Sequence, residues 1–246
     1  MLTDAPAVLR ELLAKPGLLR APGVFEGLGA HLVRRAGFSA AYLTGAGVAV
    51  SGYGNAANVV RTVRAYERAG VAAIQLEDQA FPKRCGHLTG KELVSADEFA
   101  RKLHAALDAR EADTVIIART DARGPAGIDE AITRAKRYAA EGADLIFVEA
   151  PESRDEIERV AAEADAALVF NVVPSGRSPE IDEDDLERLG YKLAIYPGAL
   201  LGPVVSAMAT SLAGLGGRPA AEVVGPGGVF GLVGLREWTE LDERYQ

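Results

Sequence analysis

The hydrophobic positions of the chain fall into short apolar runs that alternate with helix-like stretches. Four times, a helix-like stretch ends at a glycine, an apolar run follows, and that run ends in polar or small residues. Glycine is the usual stop signal just past a helix, and a continuous apolar run is typical of a strand buried on both faces. The pattern therefore predicts βα units and a parallel sheet. The four helix-ending glycines are Gly37, Gly70, Gly142 and Gly190.

Seven strands can be placed from these runs, at residues 21–25, 40–45, 72–77, 114–118, 145–149, 167–170 and 193–197. Units of roughly 30 residues favour a (β/α)₈ TIM-type barrel over a doubly wound sheet. Seven strands leave such a barrel one unit short. Only Ser51–Gly54 separates the second strand from the next helix, which is too little for a helix and a strand. We expect a barrel that lacks one helix–strand unit near residues 50–52.

Helices are predicted at residues 28–36, 58–69 and 199–215, with a short terminal helix at 237–245. Ser95 with Glu98, and Ser153 with Glu156, have the spacing of a capping box and mark two further helix starts. We expect one domain over residues 1–246, with the barrel core in 1–200 and C-terminal helices in 201–246. The Gly- and Pro-rich stretch 216–234 either packs against a neighbouring subunit or is a loosely ordered tail.

Composition narrows the function classes. The net charge of −8, with acids and bases interspersed, offers no basic face for nucleic acid. No apolar run approaches the roughly 18 residues of a membrane span, and Met1–Arg10 does not resemble a secretory signal, so we expect a cytoplasmic protein. A single cysteine excludes an internal disulfide. Neither nucleotide-binding glycine motif is present, so no nucleotide cofactor is expected.

The densest group of titratable residues is Glu77–His87, with the sequence EDQAFPKRCGH. Its cysteine, Cys85, is flanked by Lys83, Arg84 and His87, and nearby cations lower a thiol pKa from about 8.5 toward neutrality. Such a thiol can transfer a proton at neutral pH or act as a nucleophile. A structural cysteine would be expected in an apolar run, and Cys85 is not in one. The alternative role for His87 is to cap the following helix.

Polar residues follow almost every predicted strand, and in a barrel these positions share one mouth. Arg119 suits a substrate carboxylate, with an internal ion pair to Glu77 or Glu149 as the alternative. The oxygens of Glu77, Asp78 and Glu149 suit Mg²⁺, as ligands or as outer acceptors. Asp121 is expected to pair locally or to cap. The full set at the mouth is Thr44, Glu77, Arg119, Asp121, Glu149 and Asn171.

Two other kinds of site are disfavoured. The surroundings of Cys85 lack the spacing and the orienting partner of a cysteine protease. The three histidines, at positions 31, 87 and 104, are too scattered to form a zinc site.

The chain resembles the isocitrate lyase/phosphoenolpyruvate mutase superfamily, nearest to its methylisocitrate lyase-like and dimethylmalate lyase-like members. The Lys83–His87 loop is highly specific for the lyase branch, because the mutase and hydrolase branches lack its cysteine. The matching segments run in family order, at residues 42–47, 52–55, 75–79, 83–87, 118–122, 147–150, 170–171 and 196–197.

The resemblance implies a Mg²⁺-dependent lyase, with Mn²⁺ as an alternative ion. Such an enzyme cleaves a carbon–carbon bond of a hydroxylated di- or tricarboxylate into a 2-oxo acid and a succinate-type acid. It also implies a homotetramer or dimer of dimers that exchanges C-terminal helices. The implied roles are proton transfer by Cys85, closure over the substrate by Lys83, Gly86 and His87, carboxylate binding by Arg119, Glu149 and Asn171, 2-oxo-acid binding by Tyr42, Thr44, Gly45 and Ala46, and a place in the metal's shell for Glu77.

The sequence departs from the family in two places. The family carries an Asp-x-Asp pair before its Gly-[FY]-Gly-Asn turn as its main metal ligands, but here Ser51 directly precedes Gly52. In the later motif that begins at Asn171, Ser175 replaces a glycine. Two alternatives to the lyase therefore stand: a catalytically impaired barrel without the metal-binding aspartates, and a phosphonopyruvate- or oxaloacetate-acting relative, which Cys85 disfavours.

Overall fold

The computed structural model describes residues 4–43, 54–80, 90–215 and 225–232, with positions 234, 236, 237, 240, 241 and 244. Its seven strands all pair in parallel in one curled sheet. In chain order they are β1 (Leu19–Val24), β2 (Tyr42–Leu43), β3 (Ala73–Glu77), β4 (Val115–Thr120), β5 (Leu145–Val148), β6 (Leu168–Asn171) and β7 (Tyr191–Tyr196). All seven predicted strands are confirmed.

One helix precedes the first strand, and the others lie between the strands and after the last one. They are α1 (Ala5–Ala14), α2 (Gly27–Arg35), α3 (Ala56–Arg68), α4 (Ala96–Ala109), α5 (Arg123–Ala140), α6 (Arg154–Glu163), α7 (Glu183–Arg188), α8 (Leu201–Gly214) and α9 (Gly225–Leu232). None of the described helices is long and apolar enough to cross a membrane.

The predicted helix signals are confirmed at both ends. The hydroxyls of Ser95 and Ser153 each accept a backbone hydrogen bond, at 3.1 Å, from the residue three positions on. The four helix-ending glycines all have positive φ angles, between 77° and 101°. Such angles strain residues that carry a Cβ, which explains why glycine recurs at this position of the unit.

The C-terminal region is only partly described. Helix α8 confirms the predicted helix at 199–215, and α9 lies within the stretch expected to be irregular. Glycine disfavours helix, so α9 is not predictable from propensity, and its contacts with α8 provide the tertiary support. The predicted terminal helix at 237–245 lies mostly outside the described residues.

The strand order is β2-β1-β7-β6-β5-β4-β3, so β2 and β3 are the two edges of the sheet as described. This is the order of a TIM-type barrel opened between its second and third described strands. The opening therefore coincides with the helix–strand unit that the sequence lacks near residues 50–52.

Alternate residues of each strand face opposite layers of apolar packing. One layer lies between the sheet and the outer helices and includes Ile116, Ala118 and Ile146. The other fills the interior of the curled sheet and includes Ile117 and Phe147. Leu9 and Leu13 of α1 pack against this interior layer. The same alternation decides which polar residues at the strand ends point inward.

Candidate active site

Five of the predicted site residues converge at the carboxyl end of the sheet. Counting by twos from the interior residues Ile117 and Phe147 places Arg119 and Glu149 on the inward face. Glu77 is the register partner of Arg119 on the neighbouring strand and shares that face. Together these positions form a polar layer directly above the apolar interior. The five residues are Tyr42, Glu77, Arg119, Glu149 and Asn171.

Arg119 is the centre of this layer. Its Nε and one terminal nitrogen each donate to Asp121 at 2.9 Å, which makes the pair bidentate. Glu77 and Glu149 lie further away, at 3.5 Å and 3.9 Å. The guanidinium also lies 5.2 Å from the ring centre of Phe147. Burial alone would lower the pKa of Arg119, but the charges of these carboxylates raise it well above its usual value. Arg119 is therefore a permanent cation in a fixed orientation.

These contacts bear on two predictions. The internal ion pairs of Arg119 with Glu77 and Glu149 are present, while its binding of a substrate carboxylate stays a prediction. The local pairing expected for Asp121 is also confirmed. Burial would raise the pKa of Asp121, but Arg119 and then Lys91 lower it, so this carboxylate is ionised.

Glu149 and Asn171 form a second contact across the layer. The side-chain amide of Asn171 donates to both carboxylate oxygens of Glu149, each at 3.3 Å. Glu149 is buried, with 1% of its surface exposed. An amide facing a carboxylate can equally donate to a bound carboxylate or ketone oxygen.

Tyr42 links the two edges of the sheet. It lies on β2, and its hydroxyl donates a long, 3.5 Å hydrogen bond to Gln75 on β3. Burial raises the pKa of Tyr42, partly offset by the positive charge of Arg119. The phenol therefore stays protonated at neutral pH, as a donor facing the polar layer.

Asp78 is turned away from this layer, and its expected role as a Mg²⁺ ligand or outer acceptor stays a prediction. It follows Glu77 directly, and adjacent positions along a strand face opposite sides. Its carboxylate accepts from the Thr120 hydroxyl at 2.8 Å and the Asp121 backbone N–H at 2.9 Å, and from Arg134 and Tyr138 at 3.0 Å each. Burial is the main influence on Asp78 and raises its pKa. The residue fastens β3 to β4 and α5.

Sequence reasoning missed the partners of these two aspartates. Arg134 and Tyr138 lie on the buried face of α5, among Ala131, Ile132 and Ala135. An arginine on an apolar helix stripe needs a buried anion, and that was the available signal. Lys91 donates to Asp121 at 3.2 Å and had no comparable signal in the sequence.

Several predicted site residues lie outside the described residues and stay predictions. They are Thr44, Gly45, Ala46, Lys83, Cys85, Gly86 and His87. The described chain on either side of the Lys83–His87 loop is paired. Ala80 N–H donates to Glu92 O at 2.8 Å, and Val94 N–H to Asp78 O at 2.9 Å. Asp78 N–H in turn donates to Arg119 O at 3.2 Å, so the described chain up to Ala80 is joined to the strand that carries Arg119.

The donor set can be tested against Mg²⁺. Asp78 and Asp121 are occupied by the contacts above, which leaves Glu77 and Glu149 as the described carboxylates facing the interior. Segments 44–53 and 81–89 contain no Asp or Glu. Among the described residues, no three His, Cys, Asp or Glu side chains are grouped to hold a metal. Mg²⁺ often binds through one or two carboxylates with water and substrate oxygens, and the donors fit such a substrate-assisted ion.

The family model described as phosphoenolpyruvate phosphomutase matches residues 49–215. The chain is 40% identical to 2,3-dimethylmalate lyase of Eubacterium barkeri, over 83% of this chain and 84% of that protein. It is 41% identical to 2-methylisocitrate lyase of Aeropyrum pernix, over 77% and 73%. A crystal structure of 2,3-dimethylmalate lyase superposes with a TM-score of 0.82 at 34% identity, covering 100% of this chain and 96% of that one.

Proposed function

Because this chain belongs to the phosphoenolpyruvate mutase/isocitrate lyase superfamily, we propose that it is a carbon–carbon lyase. Its substrate is a hydroxylated di- or tricarboxylate of the 2-methylisocitrate or alkylmalate type, cleaved to a 2-oxo acid and a succinate-type acid. The observation that carries the proposal is the buried Arg119, oriented by Asp121 at the carboxyl end of the sheet. The lyase activities of the relatives support the same reaction class.

Arg119 binds the carboxylate next to the carbon that leaves as a carbanion. In the transition state the electron pair of the broken bond spreads into that carboxylate. A buried guanidinium stabilises the added charge more strongly than water does, because the interior has a lower dielectric constant. Asn171 donates to the second carboxylate or to the 2-oxo-acid oxygen. Tyr42 acts as a further donor to the 2-oxo acid.

Cys85 supplies the proton that the carbanion takes up. The bond pair leaves with the carbanion carbon, and the thiol proton is transferred to that carbon. The hydroxyl of the substrate loses its proton to solvent as it becomes the ketone, and the Cys85 thiolate takes up a proton from solvent after the products leave. Lys83 and His87 stand two residues on either side of Cys85 in sequence and favour the thiolate that remains. With Gly86 they exclude water from the carbanion, which would otherwise be protonated without control.

Glu77 and Glu149 are the residues that would hold Mg²⁺, or Mn²⁺ in its place, and the ion would polarise the oxygens of the 2-oxo acid. Glu149 is better placed in this role than as a direct partner of a substrate carboxylate, because two carboxylates repel unless a cation or proton lies between them. Thr44, Gly45 and Ala46 are proposed to contact the 2-oxo acid with their hydroxyl and backbone groups.

The test is release of a 2-oxo acid from 2-methylisocitrate, isocitrate and 2,3-dimethylmalate, with Mg²⁺ and with a chelator. We expect Mg²⁺-dependent release from at least one of them. Cys85→Ser should lower kcat by about 10²-fold or more, the range for loss of a positioned acid–base group. Lys136→Met, on the surface and paired only with Glu163 in the described salt bridges, is the control and should leave kcat unchanged. Absence of 2-oxo acid from all three substrates would refute the lyase proposal.

A catalytically impaired barrel is the second candidate, favoured by the absence from the sequence of the family's Asp-x-Asp pair before Gly52. It predicts a folded protein that binds neither Mg²⁺ nor oxalate by calorimetry. A phosphonopyruvate- or oxaloacetate-acting enzyme is a third candidate, which Cys85 disfavours. Oxaloacetate and phosphonopyruvate therefore belong in the same assay panel as negative controls.

We also propose a cytoplasmic homotetramer or dimer of dimers. Helix α8 carries apolar side chains but buries none of them, and Met208 and Leu212 are about 60% exposed. Apolar surface of this kind on one helix is typical of a subunit interface. Light scattering after size exclusion should give a mass of four chains. A monomer mass at micromolar concentration would contradict the assembly and leave the lyase proposal standing.

A further inference from the structure

One carboxylate in the structure is shared by two buried cations. Asp121 Oδ2 accepts from Arg119 Nε, whereas Oδ1 accepts both from a terminal nitrogen of Arg119 at 2.9 Å and from Lys91 Nζ at 3.2 Å. The side chains of Lys91 and Asp121 are 4% and 0% exposed. Asp121 therefore connects Lys91 to Arg119, since both cations donate to its Oδ1.

Gly124 leaves space for the side chain of Lys91. A Cβ built on Gly124, in the first turn of α5, would lie 3.2 Å from Lys91 Cε and 3.4 Å from Nζ. Any side chain at position 124 would press on the buried part of Lys91, next to its ammonium group. The ammonium is thus held between Asp121 and the start of α5.

The charges around Arg119 show why this lysine matters. Arg119 faces three carboxylates, on Asp121, Glu77 and Glu149. Counted over these five described side chains alone, Lys91 supplies one of two positive charges against three negative ones. Its loss therefore removes positive charge next to Arg119 and makes that position less attractive to an anionic substrate.

The orientation of Arg119 depends on the same contact. Asp121 holds the guanidinium through two bonds at 2.9 Å, whereas Glu77 and Glu149 are at 3.5 Å and 3.9 Å. The plane of the guanidinium therefore follows the position of the Asp121 carboxylate. Lys91 is the other described side-chain cation that bonds to this carboxylate, so its removal frees Asp121 to turn and to bind Arg119 more strongly.

We propose that Lys91 and Asp121 are a positioning pair for Arg119. Asp121 fixes the plane of the guanidinium, and Lys91 fixes Asp121 and offsets its charge, so that Arg119 stays available to a carboxylate ligand. Neither residue contacts the substrate. The inference rests on the proposed function in one respect, namely that the ligand of Arg119 is a carboxylate.

The test measures ligand affinity separately from turnover. Oxalate and succinate binding is measured by calorimetry, and KM and kcat by 2-oxo-acid release, for Lys91→Met and for the surface control Lys136→Met. We expect Lys91→Met to raise both Kd and KM about tenfold, because a positive charge near a buried anion site is lost. The value of kcat should fall less than threefold. The control should change neither.

A double-substitution cycle distinguishes positioning from general damage. Asp121→Asn removes the charge that Lys91 offsets, so adding Lys91→Met in that background should change Kd less than about twofold. Gly124→Ala keeps both charges and displaces the ammonium group. It should also raise Kd, by a smaller factor than Lys91→Met. It carries the test alone if Lys91→Met does not fold, as judged by circular dichroism.

Three outcomes would overturn the positioning pair. They are a Kd for Lys91→Met within twofold of the unsubstituted chain, an equal loss in the Asp121→Asn background, and a fall in kcat as large as the rise in KM. A chain that binds oxalate without releasing any 2-oxo acid refutes the lyase but leaves this inference testable by Kd. A chain that binds neither oxalate nor succinate refutes both.

Discussion

The two sides of the curled sheet are built differently. Strands β4, β5 and β6 each have a neighbour on both sides, and every residue of these strands is buried. Strands β2 and β3 are edges: β2 has two residues, one half-buried and one exposed, and β3 alternates between buried and half-buried. We call strands β4 to β6 the closed side. Arg119, Glu149 and Asn171 lie on or just after these strands, whereas Tyr42 and Glu77 lie on the two edge strands. The site therefore joins fully buried strands that are paired on both sides to edge strands that are paired on one side.

This difference shows which strands are left without a neighbour by the missing unit. A helix and a strand between β2 and β3 would have covered both edges with backbone hydrogen bonds. In their place the described chain has one long side-chain bond across the opening, from Tyr42 to Gln75. The edge strand β3 depends instead on Asp78, which fastens it to β4 and α5. The predictions below test this division, from the largest effect to the smallest.

Asp78→Ala is expected to have the largest effect on stability. It leaves the buried Arg134 charge and the Tyr138 and Thr120 hydroxyls without the carboxylate they share, and breaking such a buried pair costs about 3–5 kcal/mol of unfolding free energy. Urea denaturation measures it. Asp97→Ala, at an ion pair with an exposed carboxylate, is the control and should cost less than about 1 kcal/mol. Equal losses in the two variants would contradict the role given to Asp78.

The cost in unfolding free energy of shortening an apolar side chain should differ sharply between the closed side and the edge strands. Ile146→Ala on β5 removes a fully buried side chain and should cost about 2–5 kcal/mol. Leu43→Ala on β2, where the side chain is 61% exposed, should stay within about 0.5 kcal/mol. The same urea experiment measures both. A cost at Leu43 close to that at Ile146 would mean that the β2 edge is buried in solution, for example by another chain.

Tyr42→Phe tests the bond across the opening. It removes one 3.5 Å hydrogen bond and keeps the half-buried ring, so the loss of unfolding free energy should be below about 1 kcal/mol. Gln75→Leu removes the acceptor and should give a loss of similar size. If either substitution costs several kcal/mol, the contact between the edges is stronger than its length indicates.

Acid should destabilise the closed side through Glu156. Its hydrogen bonds from Arg123 lower its pKa below the ordinary value of 4.5, so its stabilising contribution is present above that pH and is lost as the pH falls through the lowered pKa. Glu156→Gln should therefore flatten the fall of the urea midpoint below pH 4.5. Glu158→Gln, on the same helix but more exposed, is the control. If the urea midpoint of Glu156→Gln falls below pH 4.5 as steeply as that of the unsubstituted chain, the stabilising role of ionised Glu156 is contradicted.

Much of the fold and about half of the candidate site could be predicted from the sequence. Local rules suffice for the seven strands, the glycine helix stops and the serine caps, because each depends on a few adjacent residues. The same rules placed Glu77, Arg119, Glu149 and Asn171 at strand ends. The missing unit was also predictable, because it changes the count of elements along the chain.

What the sequence alone did not decide depends on direction and on long-range partners. Asp78 was grouped with Glu77, although neighbouring strand residues face opposite layers, and the side that each faces depends on where the helices pack. The pairing of Lys91 with Asp121, and of Arg134 with Asp78, joins residues 30 and 56 positions apart. Charge attraction is not specific to one partner, so only the packed fold decides which carboxylate each cation meets.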